Sequence, residues 1–159
     1  MTKLCLVCFI CLGSTIFAQQ VQVIKITDFQ SRIKNNTDTT YVINFWATWC
    51  VPCVIELPDF DSLNNNFKNT NLKVILITLD FKEDLHSKVL PFLNKKNIKS
   101  EVNLLDEING NNFIPIVSEQ WSGAIPATLI INQKQNVHLF FEKKLNYQFL
   151  VDQIANHIH

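Results

Sequence analysis

Residues Asn44 to Pro58 read NFWATWCVPCVIELP. The run that leads into them, Thr40 to Phe45 (TYVINF), is β-branched and aromatic and reads as a buried strand. From Val51 to about Phe67 the pattern turns helical, with an interruption expected at Pro58. Cys50 and Cys53 therefore stand where a strand hands over to a helix. The first turn of a helix carries unpaired N–H groups and the positive end of the macrodipole, and both favour an anion. Thiolate is the reactive form of cysteine, so this position activates Cys50. Cys53, one turn further in, is expected to lie under Cys50 and to be shielded. Cys50 is then the residue to attack a disulfide, and Cys53 the one to resolve the mixed disulfide. A bond closing a four-residue loop stabilises the fold by only ~1.9 kcal/mol in the chain-entropy model, against ~3 kcal/mol for fifteen residues. Such a bond is suited to being made and broken.

Two plainer readings of Cys50 and Cys53 stand beside this one. A purely structural disulfide is the first. The second is half of a zinc or copper site, but a structural zinc site needs four ligands. Only His86, His138, His157 and His159 could complete it, and no second Cys-x-x-Cys or paired-histidine spacing occurs.

Outward from the motif, strands and helices alternate. Val21 to Ile26 is a candidate first strand, and Thr27-Asp28 can cap a short helix through about Asn35. Leu72 to Leu79 (LKVILITL) reads as another buried strand. Glu83 to about Lys96 is helical in spacing, with a kink expected at Pro91, and Val102 to Leu105 is a candidate short strand. Asn109 to Ser122 reads as irregular, with one helical turn at most. Thr128 to Ile131 and Val137 to Phe141 flank Asn132 to Asn136 as a hairpin, and Asn146 opens a last helix carrying Phe149, Leu150 and Ile154 on one face. Leaving out the short strand at 102–105, the order is β-α-β-α-β-α-β-β-α. Parallel strands with crossover helices, then an antiparallel hairpin and a helix, give an α/β fold with a mixed central sheet covered on both faces.

Residues 1–18, MTKLCLVCFICLGSTIFA, have the grammar of a secretory signal peptide: Lys3, an apolar stretch, and Ala18 before a cleavage point. An uncleaved anchor is the alternative, although a spanning helix needs ~20 apolar residues. Cleavage would remove Cys5, Cys8 and Cys11 and leave Cys50 and Cys53 as the only cysteines. The whole chain is 159 residues, about one domain, and 47% hydrophobic, which suits a globular protein. Fourteen basic residues balance fourteen acidic ones, so nothing draws the chain to nucleic acid. With only three glycines and no GxGxxG, P-loop or HExxH motif, nucleotide and zinc-protease readings fall, and no cofactor is implied.

Through NFWATWCVPCxxELP within Val42 to Pro58, the chain resembles the thioredoxin fold and, within it, the exported TlpA/ResA-like thiol–disulfide oxidoreductases. Gly123-Ala124-Ile125-Pro126-Ala127-Thr128 agrees independently, standing where that family has its cis-proline before a strand. The resemblance implies a single thioredoxin-like domain over 19–159 and a cis Ile125–Pro126 peptide near the two sulfurs. Ile125 would offer its backbone to a client peptide. It also implies that Trp46 and Trp49 flank the site, with Trp49 on the client side, the alternative for both being a packing role. Glu56 matches a carboxylate considered an acid/base or substrate-sensing group, its alternative being a solvated helix residue. Pro58 matches the family's helix kink. Asn44 falls where cytoplasmic thioredoxins have a buried aspartate, which puts an Asp-assisted mechanism in doubt. The partners implied are cysteine-containing client proteins, apocytochrome c among the candidates, and a membrane thiol–disulfide electron donor. The location implied is periplasmic. A thiol oxidant or isomerase with the same residues is the alternative direction, and a metal-binding carrier using the same cysteines a different class.

Overall fold

The computed structural model describes residues 20–34 and 37–158. The expected signal peptide at 1–18 lies outside the described residues. Among these residues, no helix is long and apolar enough to cross a membrane.

Six strands form one sheet in the order β1-β4-β3-β2-β5-β6. They are β1 (Gln22–Ile24), β2 (Thr40–Trp46), β3 (Leu72–Thr78), β4 (Glu101–Leu105), β5 (Ala127–Asn132) and β6 (Val137–Phe141). Pairings from β1 through β4 and β3 to β2 are parallel, and β5 pairs antiparallel with both β2 and β6. The mixed sheet with a terminal hairpin is as expected, and Val102 to Leu105 belongs to a true strand. The hairpin turns at 133–136, where Asn136 takes the left-handed conformation with φ 54°.

Helices α1 (Ile26–Ile33), α2 (Val51–Asn66), α3 (Leu90–Lys96), α4 (Ile114–Val117) and α5 (Tyr147–Ile154) cover both faces. Side chains alternate along a strand, so β2 serves two cores. Val42 and Trp46 join Leu57, Phe60, Leu93, Leu150 and Ile154 on the side of α2, α3 and α5. Tyr41, Ile43 and Phe45 join Phe29, Phe113, Val117 and Trp121 on the side of α1 and α4.

Several boundaries differ from the sequence expectation. The first strand is only three residues long, and α1 starts at Ile26 rather than after a Thr27-Asp28 cap. Asp28 instead sits inside the first turn, where its carboxylate accepts the Lys25 backbone N–H at 2.9 Å. Pro58 does not interrupt α2, which runs unbroken to Asn66. A proline inside a helix removes one donor, and the packing of Leu57, Phe60 and Leu63 in the core outweighs that loss. Near Pro91, a π-helical turn over Leu85–Val89 precedes α3. The Leu90 N–H reaches back to the Leu85 carbonyl, and Pro91, lacking an N–H, sits in the first turn of α3 where none is needed.

Candidate active site

The parallel register pairs Trp46 with Thr78, so β2 and β3 leave the sheet together. Two residues beyond each, Thr48 and Asp80 meet. Asp80 accepts the Thr48 backbone N–H at 2.9 Å and hydroxyl at 2.6 Å, and the Thr78 hydroxyl at 2.5 Å. This carboxylate anchors the turn in which the Cys50 N–H bonds to the Ala47 carbonyl.

Cys50 is the N-cap of α2, and its sulfur accepts the Cys53 backbone N–H at 3.3 Å. Cys50 and Cys53 form a disulfide, with S–S 2.00 Å and Cα–Cα 5.3 Å. Cys53 is wholly buried, whereas Cys50 keeps 6% exposure and is the more accessible residue of the pair. Trp49 stands out at 66% exposure beside it, joined on the surface by Val51 and Ile55. Trp46, expected as its companion, is fully buried and packs on Phe92 with ring centroids 5.4 Å apart. Its role is packing.

The Ile125–Pro126 peptide is cis. The Ile125 carbonyl oxygen lies 3.7 Å from Cys50 Sγ, so the two motifs about 75 residues apart in the chain do converge. Residues that the sequence reading passed over hold this loop. Trp121, inside the stretch expected to be irregular, packs on Phe45 at 4.8 Å and donates its indole N–H to the Ala124 carbonyl at 2.7 Å. Glu142 accepts the Ala124 N–H at 2.9 Å and the Ser122 N–H at 3.1 Å, and also takes the Ser122 hydroxyl. These hydrogen bonds, the Ser122 hydroxyl foremost, hold the Glu142 carboxyl below its usual range. Gly123 takes φ 98°, a conformation that side chains disfavour. An indole N–H in a loop shortly before a proline was the available signal for Trp121; Asp80 could have been sought at the carboxyl end of the neighbouring parallel strand.

Glu56 is not a solvated helix residue. It is 1% exposed, on the same stripe of α2 as Cys53, Leu57 and Phe60. Asn44 faces it from β2 and donates from Nδ2 to Glu56 Oε1 at 2.7 Å and to Thr128 Oγ1 at 3.2 Å. The latter contact follows from the antiparallel register, which pairs Asn44 with Thr128. The Leu145 N–H donates to Glu56 Oε2 at 2.7 Å. Burial pushes the Glu56 carboxyl up to about 7, against the opposing pull of these two donors. The site thus holds a buried carboxyl on α2, with an amide on β2 where a thioredoxin has its aspartate.

His86 and His138 are exposed and His157 half-buried. Among the described residues, no group of three or more His, Cys, Asp and Glu side chains is gathered as metal ligands would be.

The model of the AhpC/TSA family matches residues 18–140. The chain belongs to the AhpC/TSA family. Among relatives of this family member is a thiol–disulfide oxidoreductase ResA from Oceanobacillus iheyensis, 38% identical over 39 residues, which are 24% of this chain and 20% of that protein. A sporulation thiol–disulfide oxidoreductase A from Bacillus subtilis is 24% identical over 96 residues, 60% of this chain and 54% of that one. The chain thus spans about half the length of the second relative and a fifth of the first. Both names agree with the resemblance carried by Val42 to Pro58. Among solved structures, the thioredoxin-related protein from Neisseria meningitidis serogroup B superposes with a TM-score of 0.66 at 21% identity, covering 79% of this chain and 89% of that chain. The AhpC/TSA member described here therefore has the thioredoxin-like fold.

Proposed function

We propose that this protein is an exported thiol–disulfide oxidoreductase that reduces disulfides in client proteins through Cys50 and Cys53. The carrying observation is a disulfide at the N-terminus of α2, with the sulfur of its more exposed residue, Cys50, beside the Ile125 carbonyl. Relatives named thiol–disulfide oxidoreductases support the reading, and the apolar stretch before Ala18 supports export.

In the reduced enzyme, the Cys50 thiolate attacks one sulfur of a client disulfide. A Cys50–client bond forms, the client S–S bond breaks, and one client thiolate leaves. The backbone of Ile125 and the exposed Trp49 receive the client segment, with Pro126 fixing the turn between them and β5. The Cys53 thiol then gives its proton to the Glu56 carboxylate, three residues further along the same buried stripe. A carboxyl that titrates near neutrality is matched to this task. The Cys53 thiolate attacks Cys50 Sγ, the second client thiolate leaves, and the Cys50–Cys53 disulfide closes. Two electrons have passed to the client. A dithiol donor, such as a membrane thiol–disulfide protein, returns them.

The test is reduction of insulin disulfides by wild type and Cys50→Ser, together with the midpoint potential of the Cys50/Cys53 couple. Equal activity in the two proteins defeats the reading. The relevant span for such couples runs from about −270 mV in reductants to about −120 mV in oxidants. A potential near the oxidising end reverses the direction of electron flow, turning the protein into a thiol oxidant.

A further inference from the structure

Among the described residues, two buried side-chain polar atoms lack a hydrogen-bond partner, Asn44 Oδ1 and Trp46 Nε1. Both belong to β2. The bonds of the Asn44 side chain are all made by its nitrogen, which donates to Glu56 Oε1 at 2.7 Å and Thr128 Oγ1 at 3.2 Å. Glu56 Oε2 takes the Leu145 backbone N–H at 2.7 Å. With a donor on each oxygen, this arrangement suits an ionised carboxylate.

It does not suit a carboxylic acid. The Leu145 N–H is part of the main chain and can only donate, so a proton arriving on Glu56 belongs on Oε1. There it meets the Asn44 amino group, donor against donor. An acceptor is available on the same amide, since Asn44 Oδ1 is free. The two ends of an amide are nearly equal in size. Turning the group over brings Oδ1 to Glu56 at nearly unchanged side-chain volume, and carries Nδ2 to the place where Oδ1 had no partner. Thr128 does not resist, because a hydroxyl donates as readily as it accepts.

We propose that Asn44 is a proton-linked positioning residue, whose amide turns over as Glu56 gains or loses its proton. It rests on the proton-transfer role given to Glu56 above. The carboxyl keeps its place and a partner in both states, so α2 and Cys53 stay where they are while the proton moves. A buried aspartate at position 44 would itself compete for the proton; an amide only follows it. The charged groups that act on Glu56 through space are Asp59, on α2 itself, and Lys144, on the segment between β6 and α5. Asp59 favours the protonated form and Lys144 the ionised one. From β2 and β5 the groups that touch it or its partner, Asn44 and Thr128, are uncharged.

The test is NMR on the disulfide form, following the Glu56 carboxyl carbon and the Asn44 amino group across neutral pH. The expected result is one shared midpoint, with amino-proton NOEs to Thr128 present in base and weakened in acid. In Glu56→Gln, whose amide can donate like the protonated acid, the Asn44 signals should stay at the acid limit of wild type at every pH. Asn44 NOEs that hold constant while Glu56 titrates overturn the proposal, as does a Glu56 that shows no titration in this range. Neither result touches Cys50-dependent insulin reduction, and equal reduction by wild type and Cys50→Ser would leave the NMR result standing, so the two readings fail separately.

Discussion

The Glu56 carboxylate accepts the Leu145 backbone N–H at 2.7 Å, tying the second turn of α2 to the segment that enters α5. The two residues are 89 positions apart, and the bond lies out of reach of solvent. A charge held in such a place costs free energy that a proton can relieve.

That cost makes stability depend on pH. Burial moves the Glu56 carboxyl from 4.5 to about 7 in the fold. The native state therefore keeps a proton that the unfolded chain releases near 4.5. Its stabilising contribution is full below 4.5 and is lost as pH rises through about 7, a change on the order of 3 kcal/mol. Asp38, Glu101, Asp106 and Glu142 are shifted downward and act at lower pH, outside this window. Thermal melts should show a midpoint that falls across the window and then levels, and Glu56→Gln should flatten the slope. A variant with the wild-type slope would assign it to another group.

Asp80 anchors the turn that presents Trp49 and Cys50. Asp80→Ala strips the acceptor from the Thr48 N–H, the Thr48 hydroxyl and the Thr78 hydroxyl at a position only 3% exposed. Urea denaturation should show a loss of about 2–3 kcal/mol, with Asp80→Asn intermediate because its carbonyl still accepts. An unchanged urea midpoint in Asp80→Ala would mean that the network carries no stability.

The two cysteines should separate by access. Cys50 keeps 6% exposure and Cys53 none. Cys53→Ser is expected to accumulate a mixed disulfide at Cys50 with an aromatic disulfide reagent, since nothing remains to resolve it. Cys50→Ser should react far more slowly, on the order of tenfold or more, because a shielded thiol is inert. Mass spectrometry of the adducts reads both, and equal labelling would remove the division of roles.

The cis-proline loop should be as well placed as its clamp allows. Trp121→Phe keeps an aromatic ring against Phe45 but loses the bond to the Ala124 carbonyl. The expected loss is about 1 kcal/mol of stability. A higher KM for a disulfide-containing peptide should accompany it, with kcat little changed. Glu142→Ala frees the same loop from its other side and should act in the same direction. Steady-state kinetics check both, and a KM unchanged in the pair would show that the loop holds itself.

What could be seen in the chain before any coordinates was short in range. Cys50 and Cys53 at a strand-to-helix junction, the apolar run of β2, the 133–136 hairpin and the proline before β5 are each decided within a few residues, where backbone preference and side-chain period dominate. Pro58 is the exception: an interruption is expected there, and α2 runs through it to Asn66. At Pro91 the helix does change character, a π-helical turn over Leu85–Val89 giving way to α3.

The chemistry around the sulfurs is long in range. The i, i+3 spacing of a helix sets Glu56 one turn from Cys53, but spacing alone does not say whether that face meets water or a sheet. The strand order β1-β4-β3-β2-β5-β6 decides it, by laying β2 against α2 and β5 against β2. Asn44, Thr128 and Leu145 then surround the carboxyl, and Asp80 reaches Thr48 across the β2–β3 register. A motif names the atoms that react, whereas the proton affinity of their neighbour comes from desolvation and hydrogen bonds that exist only once distant segments have packed.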